Sequence, residues 1–378
     1  MTATALTEPP TEPPTEPLTE LACYGLAGHS ETPRDVVREA RRAEEIGLGS
    51  LFLSERFNVK DAAVLAGAVA AATERLGIGT AATNPGTRHP VISATMAATA
   101  HRLSEGRYCF GLGRGFDVVF DLYGVPRVTG AQLRDTADVL RRLWAGEKFA
   151  HDGPLGTFPY LFLLDELGDR IPILMVAIGP RSQRLAGAVA DAVVLHTYLT
   201  DETVARAVAN VRRGAEEAGR DPASVRIWAC TAVIDDALPE VLRLRKTVGR
   251  LATYLQGYGD VLVAANGWDP ADLQRFRDDP VVTAQQGAFD SAGTVEQLAY
   301  LAEKAIPAAW LDAAITGTAQ QCATAVRDQL ASTGVDSVIL HGATPDELAG
   351  VVAAYREVRD PDRPALPVNP GWMVPPAP

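Results

Sequence analysis

The chain has 378 residues, 47% of them hydrophobic and 22% charged, with a formal net charge of -12. That is the make-up of a globular protein with a large core, not of a disordered one. The acidity, with no basic run longer than pairs such as Arg41-Arg42 or Arg141-Arg142, argues against nucleic acid and anionic membrane surfaces as partners, because both need clustered Lys and Arg.

Residues 1–20 repeat T-E-P-P at Thr7 and Thr11 and T-E-P-L at Thr15. Proline and charge at that density build no core, so a disordered or extended arm is expected, and its lack of basic and apolar regions is unlike a signal peptide. From Leu21 the pattern alternates. Apolar runs at Leu21–Leu26, Ser50–Glu55, Leu76–Thr83, Tyr108–Gly113, Pro172–Ala177, Ala192–His196, Arg226–Ile234 and Ser337–Gly342 read as strands. Between them lie segments of helical spacing, such as Val36, Val37, Ala40, Ala43 and Ile46 behind Pro33. Further helices are expected near Asp61–Ala72, Val91–Leu103, Gln132–Trp144, Arg181 onward and Thr203–Ala218. The piece containing HDGPLGTFPY reads as an insertion after strand four, and the long, mostly helical stretch carrying the loop NGWDPADLQRFRDDP as one after strand seven. The stretch 360–378 is proline-rich and is expected to lie along the surface or fray. No apolar run reaches the roughly 18 residues of a membrane helix.

Eight apolar strands alternating with helices imply parallel pairing with both sheet faces covered. Eight units favour a closed (β/α)8 barrel over an open sheet, as one domain spanning 21–359. The four cysteines, Cys23, Cys109, Cys230 and Cys322, form no C-x-x-C pair. Buried free thiols, and hence a reducing, cytoplasmic compartment, are expected.

Barrel enzymes place their chemistry at the C-terminal ends of the strands. That rule selects Gly28-His29, Glu55-Arg56, Asn84, Gly113-Arg114-Gly115, Gly179-Pro180-Arg181-Ser182, His196 and His341. GLGRGF lacks the third glycine of a dinucleotide fingerprint and follows the fourth strand, not the first. IGPRSQRLAG is more informative: a Gly-Pro turn opens a helix whose first amides point outward, and Arg181 and Ser182 make it an anion site. The three histidines His29, His196 and His341 lack metal-ligand spacing, so hydrogen bonding to a ligand is their expected work. No G-x-S-x-G marks a nucleophile.

Five stretches in order, EEIGLGSLFLSERF, ERLGIGTAATNPGTRHPV, GRYCFGLGRGF, IGPRSQRLAG and GTAQQCATAVRDQLASTGVDSVILHG, resemble the bacterial-luciferase-like superfamily, and within it the branch that uses the deazaflavin coenzyme F420. The resemblance implies a cofactor over the barrel mouth and a non-prolyl cis peptide at a bulge in strand three, matched here by Ala81–Ala82. It implies cofactor contacts from Ala81, Ala82, Thr83, Asn84, Gly113, Arg114 and Gly115, with the phosphate on Gly179, Pro180, Arg181 and Ser182. The sugar-phosphate branch carries an acidic residue then a catalytic histidine after strand two. Here the pair is Glu55-Arg56, and arginine cannot act as an ordinary base. That branch's glutamate after strand four is Phe116 here. His29, Glu55 and Arg56 remain the candidates for catalysis. The resemblance implies hydride transfer between F420 and a small organic substrate, in a homodimer. FMN-dependent monooxygenase chemistry on the same fold and a non-catalytic flavin-binding barrel are the alternatives.

Overall fold

A computed structural model describes residues 16–27, 32–56, 59–115, 117–164 and 170–374. In chain order the strands are β1 (Leu18–Tyr24), β2 (Leu48–Leu53), β3 (Gly77–Thr80), β4 (Tyr108–Leu112), β5 (Phe149–Gly153), β6 (Gly156–Leu161), β7 (Ile173–Ala177), β8 (Ala192–Leu195), β9 (Arg226–Asp235), β10 (Ile315–Gly317) and β11 (Ser337–His341). β5 and β6 form a separate antiparallel hairpin, and β10 extends the end of β9. The other eight are the eight apolar runs of the sequence. They pair in parallel as β1-β2-β3-β4-β7-β8-β9-β11, and the pairing of β11 with β1 (Ala22 against Ile339) closes the ring. The architecture is a (β/α)8 barrel with insertions after the fourth and seventh barrel strands.

Strand alternation sends every second side chain inward. Ala22, Phe52, Cys109, Leu174, Val194, Trp228 and Ile339 form one buried cluster that fills the lumen. Phe52 and Trp228 meet edge-to-face, with centroids 5.1 Å apart. Outward residues pack on the helices, whose apolar faces include Val36, Ala40 and Ala43 of the helix Asp35–Ile46. Several helices start on side-chain caps: Asp61, Thr129, Thr200, Thr318 and Thr344 accept from first-turn N–H groups, satisfying donors the helix leaves open.

Two expectations shift. β1 begins at Leu18, inside the stretch read as an arm, because Glu20 finds partners that a single sequence does not display. It is fully buried, paired with Arg359 at 2.5 Å and receiving a hydrogen bond from Tyr355 at 3.3 Å. The second shift concerns the C-terminal stretch, which folds beneath the N-terminal end of the barrel as its floor. Arg226, fully buried, donates to the carbonyls of Pro367, Asn369 and Trp372, to that of Thr19 and to the Ser337 hydroxyl. Trp228 Nε1 donates to the Pro370 carbonyl at 2.9 Å. Asn369 donates to the carbonyls of Gly106 and Tyr108 and accepts from Gly371 N. Burial pushes the Arg226 guanidinium down to about 9, so it stays charged at neutral pH.

NGWDPADLQRFRDDP, expected as a loop, is largely the helix Pro270–Asp278, because Asp269 caps its first turn and Leu273 and Phe276 are buried, and HDGPLGTFPY forms the β5–β6 hairpin. Asp135 anchors its turn, accepting from Leu155 N at 2.7 Å and contacting His151 Nε2 at 2.9 Å. The insertion after β9 carries the helix Arg250–Asn266, in which Tyr258 departs from helical dihedrals (φ -154°, ψ 36°). Among the described residues no helix is long and apolar enough to cross a membrane.

The floor generates a prediction. Asn369→Ala removes two donors from buried carbonyls, each worth about 1–3 kcal/mol when left unpaired. Urea denaturation followed by tryptophan emission should show a stability loss of about 2–4 kcal/mol; an unchanged midpoint would mean the tail is not part of the folded barrel.

Candidate active site at the barrel mouth

The C-terminal ends of the strands bring the sequence-selected residues together on one rim, except Gly28 and His29, which lie outside the described residues. After β3 the Ala81–Ala82 peptide is cis. Ala81 is anchored by its N–H on the Leu53 carbonyl at 2.8 Å, and its own carbonyl faces the Tyr24 hydroxyl at 3.4 Å. A Cβ at Gly113 would sit 3.0 Å from Ala82 Cβ and from Val176 Cγ2, so glycine lets the ends of β3 and β4 pack closely.

Thr83 and Asn84 are both fully engaged inside the protein. The Thr83 hydroxyl donates to the Gly111 carbonyl at 2.6 Å. Asn84 Nδ2 donates to the carbonyls of Gly113 and Arg114 at 3.1 and 2.8 Å, and Oδ1 accepts from Gly86 N at 2.8 Å. Asn84 therefore braces the loop after β4. That loop turns at Gly115 with φ +73°, where a side chain would strike the Phe120 ring. Arg114 donates from Nε to the Val128 carbonyl at 2.7 Å and is half exposed.

Gly179 opens the helix Pro180–Val189 without a side-chain cap, and Pro180 occupies the first turn. Ser182 Oγ donates to the Gly179 carbonyl at 2.8 Å. Arg181 is exposed, and among the described residues its guanidinium makes no hydrogen bond or ion pair. A helix start with no capping side chain, next to an unpaired guanidinium, presents open donors and positive potential to an anion.

Glu55 is not free to act as a base. Its carboxylate, 3% exposed, holds Arg88 through both oxygens at 2.6 and 2.5 Å, and Arg88 also reaches Asp61. Arg56 has no side-chain hydrogen bond or ion pair among the described residues, and its charge acts on Tyr254, Tyr258 and His341. Lys60 pairs by backbone with Arg56 and donates from Nζ to the carbonyls of Gly25 and Leu26. Burial, with Arg56 adding repulsion, pushes the Lys60 ammonium down to about 8.

His196 and His341 converge on the mouth as the strand ends suggested, but through tyrosines that sequence reasoning missed. Tyr258 hydroxyl lies 2.7 Å from His196 Nε2, and His196 Nδ1 lies 2.8 Å from the Thr197 carbonyl. Tyr254 lies between the histidines, its ring 5.1 Å from that of His196 and its hydroxyl 3.5 Å from His341 Nε2. Tyr24 packs edge-on against His341 at 5.5 Å. His341 Nδ1 is buried with no hydrogen-bond partner among the described residues. Burial lowers both histidines, His196 to about 4, so both are neutral at pH 7. Arg250 closes the far side, ion-paired with Asp290 at 2.7 Å. Arg250, Tyr254 and Tyr258 recur every four residues in RLATYLQGY, a polar-aromatic face that helical spacing could have flagged.

The comparisons with known proteins agree with this architecture. A family model described as luciferase-like monooxygenase matches residues 9–337. Over 243 residues the chain is 31% identical to a 5,10-methylenetetrahydromethanopterin reductase of Methanolobus tindarius, covering 62% of this chain and 72% of that one. The coenzyme F420-dependent tetrahydromethanopterin reductase of Methanopyrus kandleri superposes with a TM-score of 0.74 at 20% identity, over 90% of this chain and 98% of that one. The oxygenating constituent of 3,6-diketocamphane monooxygenase from Pseudomonas putida, solved with FMN, superposes with a TM-score of 0.62 at 18% identity, over 90% and 98%. At such identities the two solved structures speak for the fold. With a family model matching most of its length, the chain belongs to the luciferase-like monooxygenase family and is one of its enzymes.

Proposed function

We propose that this enzyme transfers a hydride between the deazaflavin coenzyme F420 and a small organic substrate. The observation that carries the reading is the pairing, on one rim, of a helix start at Gly179 with no side-chain cap, beside Arg181, which has no partner among the described residues, with the small-residue strand ends at Ala81, Ala82 and Gly113. The first suits a phosphate-bearing tail and the second a flat ring. The donor set fits such a group chemically: Arg181 and the first-turn amides take the anion, and the orphaned His341 Nδ1 offers a polar contact at the mouth. Gly113, Arg114 and Gly115 form the adjoining loop, and Thr83 and Asn84 hold it rigid from behind. The cofactor, when bound, supplies the two-electron hydride chemistry. The protein's share is to position it, exclude water and handle a proton.

Glu55 and Arg56 divide differently from the expectation that both are catalytic. Glu55 supports the rim through Arg88. Arg56 is a fixed positive charge at the mouth, placed to attract an anionic group of cofactor or substrate.

Titration of the purified protein with F420 and with FMN tests the reading. Binding of F420 with negligible affinity for FMN is the expected outcome; preference for FMN would overturn it in favour of a flavin monooxygenase. Arg181→Ala should weaken cofactor binding about tenfold, the scale of one charge-assisted hydrogen bond at an exposed site. Glu55→Gln should lower stability by about 2–4 kcal/mol, since it breaks a buried pair, while leaving cofactor affinity nearly unchanged. A large loss of affinity with full stability would return Glu55 to the binding site itself.

A further inference from the structure

We propose that His196 and Tyr258 form the proton-transfer dyad of this enzyme, acting on the oxygen of an alcohol or the corresponding carbonyl compound. The assignment rests on the oxidoreductase reading above.

Geometry fixes the roles. The Thr197 carbonyl can only accept a hydrogen bond, so His196 Nδ1 carries the proton and donates at 2.8 Å. Nε2 is then an acceptor, and the Tyr258 hydroxyl donates to it at 2.7 Å. The break in helical dihedrals at Tyr258 occurs at the residue that meets the histidine. The pair is joined to the cofactor side of the mouth by a continuous row of rings: Tyr254 touches His196 and His341, His341 touches Tyr24, and Tyr24 reaches the Ala81 carbonyl.

Among the described residues the nearby carboxylates are occupied, and the other histidine, His341, has the longer 3.5 Å contact of its Nε2 with the Tyr254 hydroxyl and no partner on Nδ1 to fix its tautomer. Glu55 is held by Arg88, Asp290 by Arg250, and Glu347 by Lys246. Arg56 and Arg250 do not release protons, and Lys60 is directed at two backbone carbonyls. Only His196 and Tyr258 form a short hydrogen bond in which one nitrogen is open to receive a proton and one hydroxyl can pass it.

In alcohol oxidation the C–H bond breaks with its electron pair, which leaves as hydride to the deazaflavin or flavin acceptor. The alcohol proton moves to the Tyr258 oxygen as the Tyr258 proton moves to His196 Nε2, and the carbon–oxygen bond becomes a carbonyl. Thr197 holds the resulting imidazolium through Nδ1–H until the proton passes to solvent. Carbonyl reduction is the reverse. The groups facing the pair suit this traffic. Tyr254 and Cys230 are neutral, and the cations Arg250 and Arg56 favour an ionised Tyr258 against its burial. Burial keeps the imidazolium short-lived, so the proton is handed on.

The test uses the enzyme loaded with whichever of F420 or FMN it binds, mixed with a panel of secondary alcohols and their ketones and followed by cofactor absorbance in single turnovers. Tyr258→Phe and His196→Asn should each slow turnover about 100-fold or more with cofactor affinity held within about twofold, the scale of lost general acid–base catalysis. A substrate-independent measurement accompanies it: ¹⁵N NMR of histidine-labelled protein should show His196 as the Nδ1–H tautomer, with an Nε2 resonance that moves in Tyr258→Phe. Near wild-type rates in both variants, no turnover with any member of the panel, or an Nε2–H tautomer would each overturn the dyad. Binding of neither cofactor would instead overturn the oxidoreductase reading, and the tautomer would then decide the hydrogen-bond assignment alone.

Discussion

The edge-to-face contact of Phe52 and Trp228 across the lumen organises the molecule. Eight parallel strands can close only if the enclosed space is filled by side chains from alternate positions, and here two large rings fill its middle. Their packing splits the interior into two polar ends that never meet. Below them, Arg226 stacks over Trp228 at 4.4 Å and gathers carbonyls from the C-terminal stretch into a floor. Above them, Tyr24, Cys230, His196 and His341 open into the mouth.

The two ends use buried polarity differently. On the floor nearly every donor meets a backbone carbonyl, and the result is a rigid closure. At the mouth, among the described residues, His341 Nδ1 has no hydrogen-bond partner, Arg181 and Arg56 have no ion pair, and the helix start at Gly179 has no side-chain cap. Unsatisfied groups of this kind cost stability. A bound ligand could satisfy the ones that meet on this rim.

Electrostatics sharpen the contrast. The chain carries a net charge of -12, yet at the mouth Glu55 is held by Arg88, which also reaches Asp61, Asp290 by Arg250 and Glu347 by Lys246, while Arg56 and Arg181 have no ion-pair partner among the described residues. An acidic protein thus presents a locally positive entrance, which would draw an anionic cofactor toward the barrel while its outer surface repels polyanions.

The sequence by itself determined the barrel, its eight strands and the open helix start at Gly179, because each is written in local patterns: apolar runs and a Gly-Pro turn; the cis peptide at Ala81–Ala82 was legible only through the family resemblance. Tertiary structure decided everything that depends on partners distant in the chain. Glu20 belongs in the first strand because Arg359, far along the chain, neutralises it. The tail is a floor because Arg226, from the start of a barrel strand, offers several donors to its carbonyls. Asn84 braces, and Glu55 is locked, because of groups contributed by other strands and loops. His196 was legible as a strand-end residue, but its tautomer and its tyrosine partner were not. Those follow from a helix of the insertion folding back over the mouth, and no local spacing says where that helix will land.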